Sequence, residues 1–123
     1  MAGMPRPFFT ENFAANLDAI RLFLEPEGES AFRGLVGRLF DDLVPTLCRF
    51  PQSGRSFLAH AVRSLEAETP VDRLKGMLDK EDDLREFVVD DYVILYLVRK
   101  KRLIFLAIKH HRQLSFDLKR FWP

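Results

Sequence analysis

Apolar residues recur at helical spacing near the start of the chain. The first stripe consists of Phe13, Leu17, Ile20 and Leu24. It predicts an amphipathic helix over residues 11–25, because side chains three or four positions apart share one helix face. Thr10 is suited to cap this helix, and the segment EPEGES breaks the pattern after it.

A second apolar stripe follows from Phe32 to Leu47 and predicts a second helix that is capped by Ser30. Pro45 lies inside this stripe and lacks a backbone N–H group, so we expect a kink or a fresh start near Val44. Together the two stripes predict a helical hairpin with one shared apolar side.

From Leu84 onward the pattern changes to runs of branched and aromatic residues, which are typical of strands. The runs read LREFVV, YVILYLV and LIFLAI, and the RKKR between the last two fits only an antiparallel hairpin. Polar and apolar residues do not alternate in these runs, so we expect both faces of the sheet to be covered. Regular alternation would place His110 on the face of Ile104 and His111 on the face of Phe105.

Shorter segments complete the predicted fold. RPFF indicates a short strand at a sheet edge, since Pro5 and Pro7 cannot donate to a ladder. Residues 50–55 predict a loop, and residues 56–80 predict a possible helical insertion. We therefore expect one α+β domain over residues 1–123, with an N-terminal helical hairpin packed on a small antiparallel sheet.

Composition and charge narrow the function classes. The 123 residues are 47% apolar and include one cysteine, so we expect no disulfide, no cofactor, no metal and a cytoplasmic location. No apolar run is long enough to span a membrane. Residues 84–123 carry a net charge of +5 and residues 1–83 carry −4. This asymmetry favours an acidic or nucleic-acid partner, with a solvated basic face as the simpler interpretation.

Two groups of residues are candidates for chemistry or binding. The candidate catalytic residues are His110, His111, Arg112 and Arg85. RNA cleavage needs such side chains, because histidine can transfer protons and arginine binds phosphate; the simpler interpretation is an ordinary strand-end histidine. The candidate residues for binding a target or a nucleic acid are Arg99, Lys100, Lys101, Arg102, Lys109, Lys119 and Arg120.

Four stretches of the sequence, together with the order of the predicted helices and strands, resemble the RelE/ParE superfamily of toxins from bacterial type II toxin–antitoxin modules. The stretches are FPQSGR (50–55), LRE (84–86), DDYVILYLV (90–98) and IKHHRQLSF (108–116). The resemblance implies a cytoplasmic, growth-inhibiting protein of a plasmid stabilisation system. It also implies a cognate antitoxin, whose partly disordered segment folds around the toxin.

Members of this superfamily differ in their target. RelE-like members cleave mRNA on the ribosome, and ParE-like members inhibit DNA gyrase. Ribonuclease members usually have an arginine where this chain has Val93, whereas HHRQ is similar to the H-x-R-R that ends the last strand in ParE-like members. The resemblance therefore favours ParE-like inhibition of gyrase. The alternatives are a RelE-like mRNA endoribonuclease that uses the candidate catalytic residues, and a non-toxic interaction module on the same fold.

Overall fold

The computed structural model describes residues 5–24, 28–57 and 78–111. The elements in chain order are β1 (Arg6–Phe9), α1 (Glu11–Leu24), α2 (Glu29–Arg38), a π-helical segment (Leu39–Leu43), α3 (Val44–Arg49), a 3-10 turn (Pro51–Ser53), β2 (Arg55–Ser56), β3 (Asp83–Val89), β4 (Tyr92–Arg99) and β5 (Arg102–His110). The predicted α+β class is confirmed. Most of residues 56–80 lie outside the described residues, so the insertion stays a prediction, although Ser56 belongs to β2 rather than to a helix.

Both predicted helices are confirmed, with a correction at one cap. Thr10 caps α1, since its hydroxyl accepts the backbone N–H of Phe13 at 3.1 Å. The cap predicted at Ser30 is wrong, because α2 begins one residue earlier, after Gly28, and has no side-chain cap. The expected irregularity is a π-helical segment directly before Val44. Pro45 explains it, since a missing N–H and a bulky ring displace the regular helical hydrogen bond.

The described strands form one sheet in the order β1-β5-β4-β3-β2. Strands β3, β4 and β5 form the predicted antiparallel meander, but β1 pairs with β5 in parallel, so the sheet is mixed. No tight turn joins these two strands, so their relative direction was not fixed by loop length. In a parallel strand alternate residues direct their backbone groups to the same side. The N–H of Arg6 bonds to Lys101, so Pro5 and Pro7 face outward, where no donor is needed.

A bulge in β5 changes which residues share a face. Leu95 pairs with Ala107 and the next residue of β4, Tyr96, pairs with Phe105, so Leu106 is the extra residue. The predicted alternation beyond this point was therefore wrong. His110 lies on the face of Phe105, which the helices cover, and not on the face of Ile104.

Polar side chains of α1 satisfy the backbone of β5 where β1 ends. The carbonyl of Leu106 accepts hydrogen bonds from Thr10 Oγ1 and Asn12 Nδ2, both at 3.0 Å. The N–H of Ile108 donates to Asn16 Oδ1 at 3.1 Å. The three polar residues are themselves buried, so these bonds form in an interior where an unpaired group would be costly.

The sheet separates two apolar clusters. The larger cluster joins one face to the helices and includes Phe13, Leu39, Leu47, Ile94, Tyr96 and Phe105. The second face carries Phe57, Leu84, Val93, Leu95, Leu97, Leu106 and Ala107. Leu95, Leu97 and Leu106 have no exposed surface in the single chain, so this face excludes water without a partner. The prediction that both faces are covered is therefore confirmed.

Candidate functional site

The two candidate histidines lie at the end of β5, beside the turn between β3 and β4. His110 pairs with Tyr92, and its ring meets that ring edge-on at a centroid distance of 5.4 Å and lies 6.5 Å from the ring of Phe23. The N–H of His111 donates to the carbonyl of Asp91 at 2.7 Å. The two imidazole rings are 4.5 Å apart. His110 thus contacts β4 and the end of α1, and His111 is bonded to the turn between β3 and β4.

Arg85 lies on the helix-covered face of β3, where it holds the loop of residues 50–55. Its Nη1 donates to the carbonyls of Gly54 at 2.5 Å and Gln52 at 3.3 Å. Its Nε donates to the carboxylate of Asp83 at 2.7 Å. The guanidinium of Arg85 is thus engaged with the loop backbone and with a carboxylate on its own strand.

The sheet does not bring Arg85 next to the histidines. Arg85 pairs with Tyr96, whereas His110 pairs with Tyr92, four residues away along β4 and on the opposite neighbouring strand. At about 3.3 Å per residue and about 4.8 Å between strands, the Cα atoms of Arg85 and His110 are roughly 16 Å apart. Arg112 lies outside the described residues. Among the residues described, only the two histidines of the candidate catalytic set meet.

The basic stretch at the turn between β4 and β5 divides into anchored and exposed cations. Arg99 donates Nε and Nη2 to the two carboxylate oxygens of Asp82 at 2.8 and 2.6 Å. Hydrogen bonding from Arg99 holds the pKa of Asp82 below its usual value, against the effect of burial. The guanidinium of Arg102 lies 5.5 Å from the ring centroid of Phe8. The two lysines of the turn itself are exposed.

Lys109 belongs to a partly buried polar cluster on the second face of the sheet. Burial lowers the pKa of Lys109, while the negative charge of Glu86 acts in the opposite direction. Glu86 is itself buried and accepts a hydrogen bond from Arg55 Nε at 2.6 Å. Lys109 is therefore not part of the exposed basic turn. Lys119 and Arg120 lie outside the described residues.

The loop of residues 50–55 is a rigid feature that the sequence did not single out as a site. The fully buried Tyr96 donates its hydroxyl to the carbonyl of Pro51 at 2.7 Å and accepts the N–H of Gly54 at 2.9 Å. Burial raises the pKa of the Tyr96 phenol. Phe50 nevertheless stays 58% exposed. The signal in the sequence was the polar groups of Arg85 and Tyr96, which interrupt the apolar runs of two neighbouring strands.

Several kinds of site are absent from the part of the chain that the structure describes. Residues 5–24, 28–57 and 78–111 contain no group of His, Cys, Asp and Glu side chains that could hold a metal ion. No described helix is both long and apolar enough to cross a membrane. Cys48 is buried, and this burial raises the pKa of its thiol.

Comparison with known protein families gives a match over most of the chain. The sequence model of a family described as the ParE toxin of the type II toxin–antitoxin system, parDE, matches residues 8–115. No curated protein and no solved structure matches the chain. The matched range includes the helices, the loop and the whole antiparallel meander.

Proposed function

Because the chain belongs to the ParE toxin family of type II toxin–antitoxin systems, we propose that it inhibits growth by poisoning DNA gyrase in the cytoplasm. Family membership makes the chain a toxin and gives it an antitoxin as its partner. The proposal goes beyond family membership in two points. It names gyrase as the target and plasmid stabilisation as the role of the module.

The placement of Arg85 is the observation that supports gyrase over an mRNA cleavage site in which Arg85 acts together with the histidines. Cleavage of a ribose–phosphate chain needs a proton-transferring group and a cation at the same phosphate. The Cα atoms of Arg85 and His110 are about 16 Å apart by strand geometry. The guanidinium of Arg85 is bonded to the loop backbone. In this position the guanidinium stabilises the fold. Its placement therefore supports a protein that acts by binding its target rather than by cleaving RNA.

The environment of Val93 supports the same choice. Val93 is 8% exposed and packs with Leu95 and Ala107 in the second apolar cluster. The position that holds an arginine in similar ribonucleases is thus part of the core in this chain, and a valine there cannot neutralise a phosphate.

The exposed cations of the turn between β4 and β5 are the proposed contacts to the target. Lys100 and Lys101 project from the tip of the hairpin, and Arg102 follows them at the start of β5. A cluster of like charges speeds the approach to an acidic surface, so we expect target binding to weaken with salt. Lys119 and Arg120 are further proposed contacts, on sequence grounds.

Gyrase assays with the purified chain test the proposal. We expect the chain to inhibit supercoiling of relaxed plasmid and to promote gyrase-dependent plasmid cleavage, and the antitoxin to reverse both effects. Lys100→Glu combined with Lys101→Glu should weaken inhibition of gyrase. The control is Arg33→Glu, at an exposed position of α2, which should not weaken it.

Two results would contradict the choice of gyrase. Unaffected gyrase, with mRNA cleavage on translating ribosomes that His111→Ala abolishes, would establish the ribonuclease alternative. Normal growth of cells that accumulate the folded chain without antitoxin would establish the non-toxic module.

A further inference from the structure

Four neighbouring exposed residues form what is here called the loop surface, which consists of Arg49, Phe50, Gln52 and Arg55. Phe50 is 58% exposed, although phenylalanine is mostly buried in proteins. An arginine precedes it at the end of α3, and another follows at the start of β2. Aromatic residues and arginine are residue types that are enriched at protein interfaces.

The backbone beneath the loop surface is fixed before any partner arrives. Tyr96 bonds to Pro51 and Gly54, and Arg85 bonds to the carbonyls of Gln52 and Gly54. Binding of a partner therefore loses little conformational entropy in this backbone, and preorganisation of this kind improves affinity.

The arginines of the loop surface have donors to offer. Within the described ranges, Arg49 forms no ion pair or side-chain hydrogen bond, and Arg55 uses only its Nε, toward Glu86. Arg33 and Arg38, by contrast, are paired with carboxylates. The side chain of Glu86 is 7% exposed while that of Arg55 is 54% exposed, so the guanidinium is the partner of this ion pair that solvent reaches, and Arg49 adds a positive charge that no described carboxylate pairs with.

We propose that the loop surface docks a short acidic segment of the antitoxin. Two carboxylates of the segment bind Arg49 and Arg55, and an apolar side chain between them packs on Phe50. The inference rests on membership of a toxin–antitoxin family and is independent of the choice of gyrase.

An acidic peptide fits this surface better than a nucleic acid does. Two guanidinium groups match two carboxylates, whereas binding to a nucleic-acid backbone depends on neutralising a series of phosphates with many cations.

Calorimetric titration with the purified cognate antitoxin, sought in the reading frame next to that of the chain, tests the inference. We expect Phe50→Ala and Arg49→Glu each to raise the Kd at least ~30-fold, the factor that corresponds to a hot-spot loss of about 2 kcal/mol. The matched controls are Phe23→Ala and Arg33→Glu, which remove an exposed ring and an exposed arginine elsewhere. Both controls should change the Kd less than ~3-fold.

An unchanged Kd in Phe50→Ala and Arg49→Glu, with unchanged thermal unfolding, would overturn the inference. So would a weakened affinity of Arg49→Glu for a single-stranded RNA oligonucleotide with full retention of antitoxin binding. The variants should still arrest growth when the antitoxin is absent. If the wild-type chain does not inhibit gyrase, the choice of target fails, but the antitoxin titration still decides the role of the loop surface.

Discussion

Two regions of the sheet, one beside β5 and one beside β3, are held in place by different polar groups. Beside β5, the neutral side chains of Asn12 and Asn16 bond to the bulged strand in a fully buried setting. Beside β3, Arg85 holds the loop of residues 50–55, and Arg99 holds Asp82 just before the strand begins. The region beside β5, which uses amides, is called the amide side, and the region beside β3, which uses guanidinium groups, is called the arginine side.

This difference predicts different sensitivities. Buried amides have no charge to titrate and are little affected by salt, and each lost bond leaves an unpaired group away from water. Guanidinium groups near the surface can turn to water when they lose a partner, so their loss costs less. The amide side should therefore be the more fragile to substitution, and the arginine side the more responsive to pH.

Asn16→Leu should have the largest effect. It leaves the buried N–H of Ile108 without an acceptor and removes one hydrogen bond of the Asn12 amide, which keeps its bond to Leu106, and these two losses cost about 2–4 kcal/mol together. Urea unfolding measures this loss. Ala15→Leu, on the exposed side of the same helix, is the control and should change stability by less than about 0.5 kcal/mol. Equal effects of the two substitutions would remove the distinction between the two sides.

The sequence predicted the strands beside this site but not the contact itself. Runs of branched and aromatic residues predicted the positions of β3, β4 and β5, because these residue types favour strands wherever they occur together. The bulge at Leu106 involves a single extra residue, which an unbroken apolar run cannot reveal. The face of His110 was consequently predicted wrongly, and the role of Asn16 depends on that bulge.

Gly54→Ala should have the next largest effect, on the arginine side. An added Cβ would lie 2.6 Å from both the carbonyl oxygen of Glu86 and the hydroxyl of Tyr96, so the loop must shift. We expect a loss of about 1–3 kcal/mol in unfolding free energy, as for other overpacked sites. Gly34→Ala is the matched control, because open space surrounds that position of α2. It should stabilise the chain by about 0.5–1 kcal/mol, and a comparable loss there would contradict the packing argument.

The candidate site shows the same limit of sequence reasoning. Arg85 and the histidines belong to a plausible catalytic set by residue type, and their separation follows from strand register, which only the folded sheet fixes. Exposed Lys100 and Lys101 were recognisable because a tight turn between two apolar strands leaves cations in solvent. The engagement of Arg99 with Asp82 was not recognisable, since it joins separate segments.

Asp82→Asn should have the smallest effect at neutral pH and the clearest dependence on pH. The hydrogen bonds from Arg99 lower the pKa of Asp82 in the folded state, so the pair stabilises the fold fully above the unfolded pKa of about 4. This stabilisation is lost as the pH falls through the lower folded pKa. We expect the variant to lose about 1 kcal/mol at pH 7, because Arg99 is 27% exposed and can bind water instead.

Thermal unfolding between pH 7 and pH 3 separates this effect from general acid unfolding. The difference in stability between the wild type and Asp82→Asn should shrink below about pH 4, because the unfolded wild-type chain then binds a proton at Asp82 before the folded chain does. Ala15→Leu, which changes no charge, is the control, and its difference in stability from the wild type should stay the same over this range. If the two curves of wild type and Asp82→Asn instead stay parallel down to pH 3, the Asp82 charge does not stabilise the fold. The pH response would then come from other carboxylates, and the arginine side would differ from the amide side only in its packing.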